Sequence, residues 1–264
     1  MDIGLEINKI YQCKYQDKIH EIKDNSIDMV LTDIPYLLHK DSNQEVIKNY
    51  NKKKGNSEWE DPNKLEWDVN FDVEDYITQC CRILKPKGSI IVWASWQQLY
   101  QVDKIIYKSL GKLKGEPRIG VWKKTNPPII NMDKMAIQPY ELFIWNRKGK
   151  KAVFNNINGK YIDNETKKVR QNPEKHYFEQ SAPSKKRLEG KHPTSKPESI
   201  FEWLLLTYTN IGDIVFDGCI GGGTTAVVCY QNRRNFIGFE CKKEYCEIAK
   251  ERLDILKKDN WIEK

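Results

Sequence analysis

Two short stretches carry residue types that could do chemistry, and they lie far apart in the chain. The first is Asp33-Ile34-Pro35-Tyr36, which follows the apolar run Ile27 to Thr32. An acid, a proline and an aromatic at the carboxyl end of a buried parallel strand stand where open α/β sheets place their ligands. The second runs Asp217-Gly218-Cys219-Ile220-Gly221-Gly222-Gly223-Thr224, between the apolar run Ile214 to Phe216 and a helical stretch that Thr224 opens. Glycines at such a crossover let the backbone turn tightly and let a ligand approach main-chain atoms without meeting a Cβ, while the helix N-terminus presents unpaired N–H groups. Glu240 closes the next apolar run, Phe236 to Phe239. Nucleotide-binding folds put an acid there to accept hydrogen bonds from a ribose.

The elements that must position these residues are legible from periodicity. Asp24-Asn25-Ser26 is a turn signal ahead of the strand Ile27 to Thr32. Val73, Tyr76, Ile77, Cys80, Cys81 and Leu84 recur at helical spacing, Lys85 to Gly88 predicts the stop, and Ser89 to Trp93 predicts a strand. A helix over Gln97 to Leu110 follows, then strands around Ile119 to Trp122 and Glu141 to Trp145, flanking Asn126-Pro127-Pro128. Pro197 opens a helix whose apolar face is Ile200, Phe201, Leu204, Leu205 and Tyr208, and the last helix puts Tyr245, Ile248, Ala249, Leu253 and Leu256 on one side. Strands alternating with helices predict an α/β fold. The polar, aperiodic stretch 37–68 is too long for a plain connection and is expected to be a mobile active-site loop.

Composition narrows the classes. A chain of 264 residues with 39% hydrophobic and 31% charged residues and a mean hydropathy of -0.72 is expected to form one domain, 1–264, with insertions. No apolar run approaches the roughly 20 residues that span a bilayer. The first residues lack a basic segment followed by an apolar one, so no export signal is expected and a cytoplasmic location is. Seven cysteines, an odd number without a CxxC pair or a histidine at zinc-ligand spacing, read as reduced thiols, and no structural metal is expected. The net charge of +7 is local: residues 147–191 hold 13 Lys and Arg against 5 Asp and Glu, with Phe154, Tyr161, Tyr177 and Phe178 interleaved. Such a segment suits a phosphate backbone.

Three pieces in this order, TDIPY at 32–36, HPTSKP at 192–197 and DGCIGGGTT at 217–225, resemble the β-class amino-methylating (N6-adenine/N4-cytosine) site-specific DNA methyltransferases. In that family a D-P-P-Y motif precedes the target-recognition region, and H-P-T-x-K-P and D-P-F-x-G-S-G-T segments follow. LKPKGSIIVW at 84–93 and RRNFIGFE at 233–240 extend the likeness over nearly the whole chain. The resemblance implies a Rossmann-like S-adenosylmethionine-dependent methyltransferase fold, with a mixed, mostly parallel seven-stranded sheet and helices on both faces. It puts Asp33, Ile34, Pro35 and Tyr36 on the catalytic motif. Asp217, Gly221, Gly223, Thr224 and Glu240 fall on cofactor-binding positions, and Thr194, Ser195 and Lys196 on the segment near the methionine end of the cofactor. Residues 147–191 become an inserted basic target-recognition region, with Lys185, Lys186 and Arg187 on DNA. Ile34 replaces the first proline; Gly218, Cys219 and Gly222 replace the proline, phenylalanine and serine of the cofactor loop; Lys14 stands where relatives often carry an acid.

The resemblance implies double-stranded DNA as partner, as part of a restriction–modification pair or alone, and admits a homodimer. An exocyclic amine is a poor nucleophile because its lone pair is delocalised into the ring. Asp33 and the Ile34 carbonyl are expected to accept its two N–H bonds and turn that lone pair toward the methyl group, so that positioning carries the catalysis. The base must leave the duplex to reach such a pocket, with Tyr36 on its face. Asp as the first motif residue favours adenine N6; cytosine N4 and a catalytically silent DNA-binding relative are the alternatives.

Overall fold

The computed structural model describes residues 3–36, 71–111, 115–127, 138–162, 169–171, 175–184 and 195–258. The predicted loop 37–68 lies wholly outside them, as do Thr194, Lys185, Lys186 and Arg187. In chain order the described elements are β1 (Lys9–Gln12), α1 (Tyr15–Lys18), a 3-10 turn (Ile19–Glu21), β2 (Ile27–Asp33), α2 (Val73–Ile83), β3 (Leu84–Ala94), α3 (Trp96–Leu110), β4 (Arg118–Lys124) and β5 (Tyr140–Arg147). Then come β6 (Lys160–Ile162), β7 (Val169–Gln171), β8 (Tyr177–Gln180), α4 (Glu198–Tyr208), β9 (Ile214–Asp217), α5 (Thr224–Gln231), β10 (Asn235–Glu240) and α6 (Lys243–Lys258).

The main sheet runs β1-β10-β9-β2-β3-β5-β4-β8, and every neighbouring pair is parallel except the two that involve β5. The sheet thus has eight described strands where seven were expected. The extra one, β8, comes from the basic segment and pairs Val121 with Tyr177 along the β4 edge. Its four residues YFEQ half-bury only every second side chain, too weak an apolar signal to mark a strand, and Phe178 packs on the ring of Trp203. Lys85 to Gly88 also departs from expectation: α2 runs directly into β3, with a register shift opposite Ile27 to Met29 in place of a separate turn.

The period-2 alternation of the central strands divides the core between two faces. Val30, Ile90, Val92, Phe216, Ile237 and Phe239 face α2 and α3. Met29, Leu31, Ile91, Trp93, Val215 and Phe236 face α4, α5 and α6. Burial on both faces is why these strands read as continuous apolar runs. From β9 the chain crosses outward to β10, and from β2 it crosses the other way to β3, so the strand order reverses between β9 and β2. A crevice opens at such a switch point, outside the carboxyl ends of the strands.

Candidate active site

One rim of the sheet collects the chemistry. β2, β9 and β10 end there in Asp33, Asp217 and Glu240, β4 ends there in Lys124, and the reversed strand β5 begins there with Tyr140 and Glu141. The alternation along β2 then decides where neighbours point. Thr32 faces α2, where its hydroxyl lies 2.8 Å from the Tyr76 hydroxyl. Asp33 faces the opposite side, where Lys196, just ahead of α4, pairs with its Oδ2.

Asp33, Lys196, Glu141, Lys124 and Tyr36 form one cluster. The Lys196 ammonium, 3% exposed, bridges Asp33 Oδ2 and Glu141 Oε2, the latter at 3.0 Å. Lys124 pairs with Glu141 Oε1, and the Tyr36 hydroxyl donates to Glu141 Oε2 at 3.1 Å. The same ammonium sits 5.3 Å from the Tyr36 ring centroid and 5.6 Å from that of Trp93, within cation–π range. Asp33 Oδ1 is buried and has no hydrogen-bond partner among the described residues, so it is an acceptor left for something else. Burial pushes the Asp33 carboxyl up to about 6, with Lys196 pulling it down and Glu141 pushing it up. Burial would also raise Glu141, but Lys196 and Lys124 together outweigh it and hold that carboxyl down to about 2. Burial opposes the charge on Lys196, and the two carboxylates more than restore it. The Tyr36 phenol is raised by burial and by both carboxylates, and stays protonated.

The backbone of the motif is fixed beside this cluster. Ile34 N donates to the Trp93 carbonyl at 3.1 Å, and the Ile34 side chain is buried in the core. Gln98 Nε2 donates to the Pro35 carbonyl at 2.8 Å. Gln98 is itself set by the start of α3, where its Oε1 accepts from Ser95 N at 3.0 Å. The Pro35 carbonyl is thereby tied to the start of α3.

The glycine turn adjoins on the β9 side. Asp217, 3% exposed, accepts from the Thr225 hydroxyl at 2.5 Å and from Cys219 N at 3.1 Å. Burial lifts its carboxyl to about 7, against those bonds. Gly223 has φ of +83°, and a Cβ on it would meet Ala249 of α6 at 2.7 Å, so glycine is required on both counts. Glu240 Oε2 accepts from Gly221 N at 2.9 Å and Oε1 from Lys242 N at 2.7 Å. Each carboxylate oxygen has a second lone pair, so both keep capacity for a ribose hydroxyl. The small turn, the αL glycine and the acid at its mouth fit a nucleoside-bearing cofactor.

The structure brings Asp33, Ile34, Pro35, Tyr36 and Lys196 together, and Asp217, Gly221, Gly223, Thr224 and Glu240 together, on neighbouring parts of one rim. Lys196, expected beside the cofactor, has its side chain on Asp33. Sequence reading missed Glu141, Lys124, Tyr76 and Arg252. Tyr76 reads as a helical core residue, yet its hydroxyl joins Thr32 to Gly218 N, the latter at 3.0 Å, linking the two motifs. Arg252 of α6, 5% exposed, donates to the Gly222 carbonyl and, at 2.6 Å, to Glu198 of α4. A lone acid at the head of the apolar run YELFIW was the available signal for Glu141.

Comparison with known proteins bears on this arrangement directly. The family profile for DNA methylase of the N6/N4 type matches residues 27–251. The chain is 30% identical over 254 residues to the type II methyltransferase M2.MboI of Moraxella bovis, covering 92% of this chain and 86% of that protein. It is 29% identical over 243 residues to the type II methyltransferase M2.DpnII of Streptococcus pneumoniae, covering 89% and 85%. Among solved structures, the M1.HpyAVI–SAM complex aligns with a TM-score of 0.63 at 22% identity, over 92% of this chain and 98% of that one. The PvuII DNA methyltransferase, cytosine-N4-specific, aligns at 0.60 and 17%, over 92% and 85%. At those identities the structural likeness speaks for the fold, and the fold, the order of the two motifs around one rim and the extent of the sequence match agree. The chain belongs to the N6/N4 family of amino-methylating DNA methyltransferases, which work with S-adenosylmethionine.

Proposed function

We propose that this chain methylates the exocyclic N6 of an adenine swung out of double-stranded DNA, at a specific sequence. S-adenosylmethionine supplies a methyl group made electrophilic by its sulfonium, and the glycine turn with Asp217, Gly221, Gly223, Thr224 and Glu240 holds it. Thr194 and Ser195 adjoin its methionine end. Asp33 Oδ1 and the Ile34 carbonyl accept the two amine N–H bonds, which localises the nitrogen lone pair, and Tyr36 stacks on the base. Pro35 keeps that carbonyl in place through its own bond to Gln98. Residues 147–191 form the target-recognition region, with Lys185, Lys186 and Arg187 on backbone phosphates.

The observation that carries the reading is Asp33 Oδ1: a buried carboxylate oxygen without a partner among the described residues, at the switch point, on the rim that also bears the glycine turn. Asp rather than Ser at this position supports adenine. The test is transfer of labelled methyl to DNA, followed by digestion to nucleosides. N6-methyladenine is expected, and N4-methylcytosine would overturn the choice of base. Asp33→Ala should abolish transfer while S-adenosylmethionine binding, read by calorimetry, persists; near-full transfer by that variant would refute the mechanism.

A further inference from the structure

The cluster around Asp33 contains a second carboxylate, to which the function proposed above gives no part. Glu141 stands across from Asp33 on β5, and the Lys196 ammonium lies between them, bonded to Asp33 Oδ2 and, at 3.0 Å, to Glu141 Oε2. Glu141 is further fixed by Lys124 on Oε1 and by the Tyr36 hydroxyl at 3.1 Å. A cation shared between two anions neutralises neither fully. We propose that Glu141 is a positioning residue for methyl transfer: by holding the far side of the Lys196 ammonium, it leaves Asp33 Oδ1 basic enough to take the proton that the methylated amine must lose.

The inference rests on the role given to Asp33 above. In the transfer the amine lone pair forms the new N–C bond, and the C–S bond breaks with its electron pair going to sulfur. The nitrogen, now positively charged, keeps an N–H bond to Asp33 Oδ1. That proton moves to Oδ1, the nitrogen recovers the electron pair, and the neutral carboxylic acid later gives the proton to water. Lys196 on Oδ2 alone would weaken Asp33 as a base; shared with Glu141, it weakens it less.

The groups facing Asp33 come from every element packed around it: Lys196 ahead of α4, Glu141 from β5, Tyr36 after β2, and Asp217 with Cys219 from the end of β9. Lys124 of β4 acts through Glu141. Burial sets Asp33 high, at about 6, with Glu141 adding to that shift and Lys196 opposing it. Removing the Glu141 charge must therefore lower the pH at which Asp33 ionises, and removing the Lys196 charge must raise it.

The experiment is the pH dependence of single-turnover methyl transfer at saturating DNA and labelled S-adenosylmethionine, for the full chain and for Glu141→Gln and Lys196→Met. The acid limb of the unaltered protein should lie near 6. Glu141→Gln should move that limb down by about one pH unit and lower the plateau rate by about tenfold; Lys196→Met should move it up by about one unit or more. Limbs that stay in place, or that move in the same direction, overturn the role of Glu141, since loosened packing would lower rates without opposing shifts. If Glu141→Gln does not fold, Glu141→Asp keeps the charge and carries the test: a limb within a few tenths of the original supports the proposal and a displaced limb overturns it. Asp33→Ala separates the two readings. If that variant still transfers methyl, the proposed function falls; if it is inactive and the Glu141→Gln limb is unmoved, only the present inference does.

Discussion

Gly218 stands where the family motif has proline, and the structure makes restoring that proline harmful. Gly218 N donates to the Tyr76 hydroxyl at 3.0 Å, in a buried place, and a Cβ at this position would come within 2.5 Å of the Tyr76 ring. Gly218→Pro removes the donor and pushes its ring against a side chain that is wholly buried between α2 and the sheet. Losing the buried bond costs about 1–3 kcal/mol, and overpacking a filled core about 1–3 more, so the variant should be roughly 2–6 kcal/mol less stable. Urea unfolding followed by circular dichroism reads this as a lower midpoint at constant slope. In a Tyr76→Phe background the penalty of Gly218→Pro should shrink by about 1–3 kcal/mol, the share of the hydrogen bond, because only the ring remains to oppose the proline. A Gly218→Pro protein as stable as the parent, or one whose penalty is the same in both backgrounds, would show that Tyr76 does not bind the glycine turn to β2.

Arg252 ties the Gly222 carbonyl to Glu198, which couples the glycine turn to the start of α4 next to Lys196. Arg252→Met should raise the S-adenosylmethionine dissociation constant about tenfold, or ~1.4 kcal/mol, by calorimetry; unchanged affinity would leave the arginine with a packing role only. His176 lies among Phe143, Trp145, Trp203 and Tyr208, with Nε2 2.5 Å from the Tyr208 hydroxyl, and burial pushes it down to about 4, aided by Arg118. A base lowered in this way stays neutral in the fold, so its stability contribution is complete above the unfolded value near 6.5 and is lost as pH falls toward about 4. His176→Gln should remove on the order of 3 kcal/mol from the fall in unfolding free energy over that window, and an identical fall in both proteins would contradict the burial argument.

How much was legible follows from where each signal lives. The apolar runs of β2, β3, β9 and β10 and the helical spacing of α2, α4 and α6 are local, so the α/β order could be read off the chain. The four residues of β8 offer too little alternation, and only their pairing with β4 makes them a strand. The helix does stop ahead of Lys85, at Ile83; what the sequence did not show is that pairing with β2 at Leu84 and again at Ser89 carries Lys85 to Gly88 into β3 despite Pro86.

The sequence by itself determined that Asp33 and the glycine turn sit at strand ends, because a strand that is buried on both faces must end where its apolar run ends. It also located the excess positive charge in one segment. Only the tertiary structure decided what the acid at the end of β2 touches. Lys196 is 163 residues from Asp33 in sequence, and Glu141 and Lys124 reach the same rim because β5 runs against its neighbours. Charge pairing across such separations leaves no periodic trace in a chain. Coulomb attraction in a water-poor cleft depends on distance and burial, and both exist only once the strands are in register.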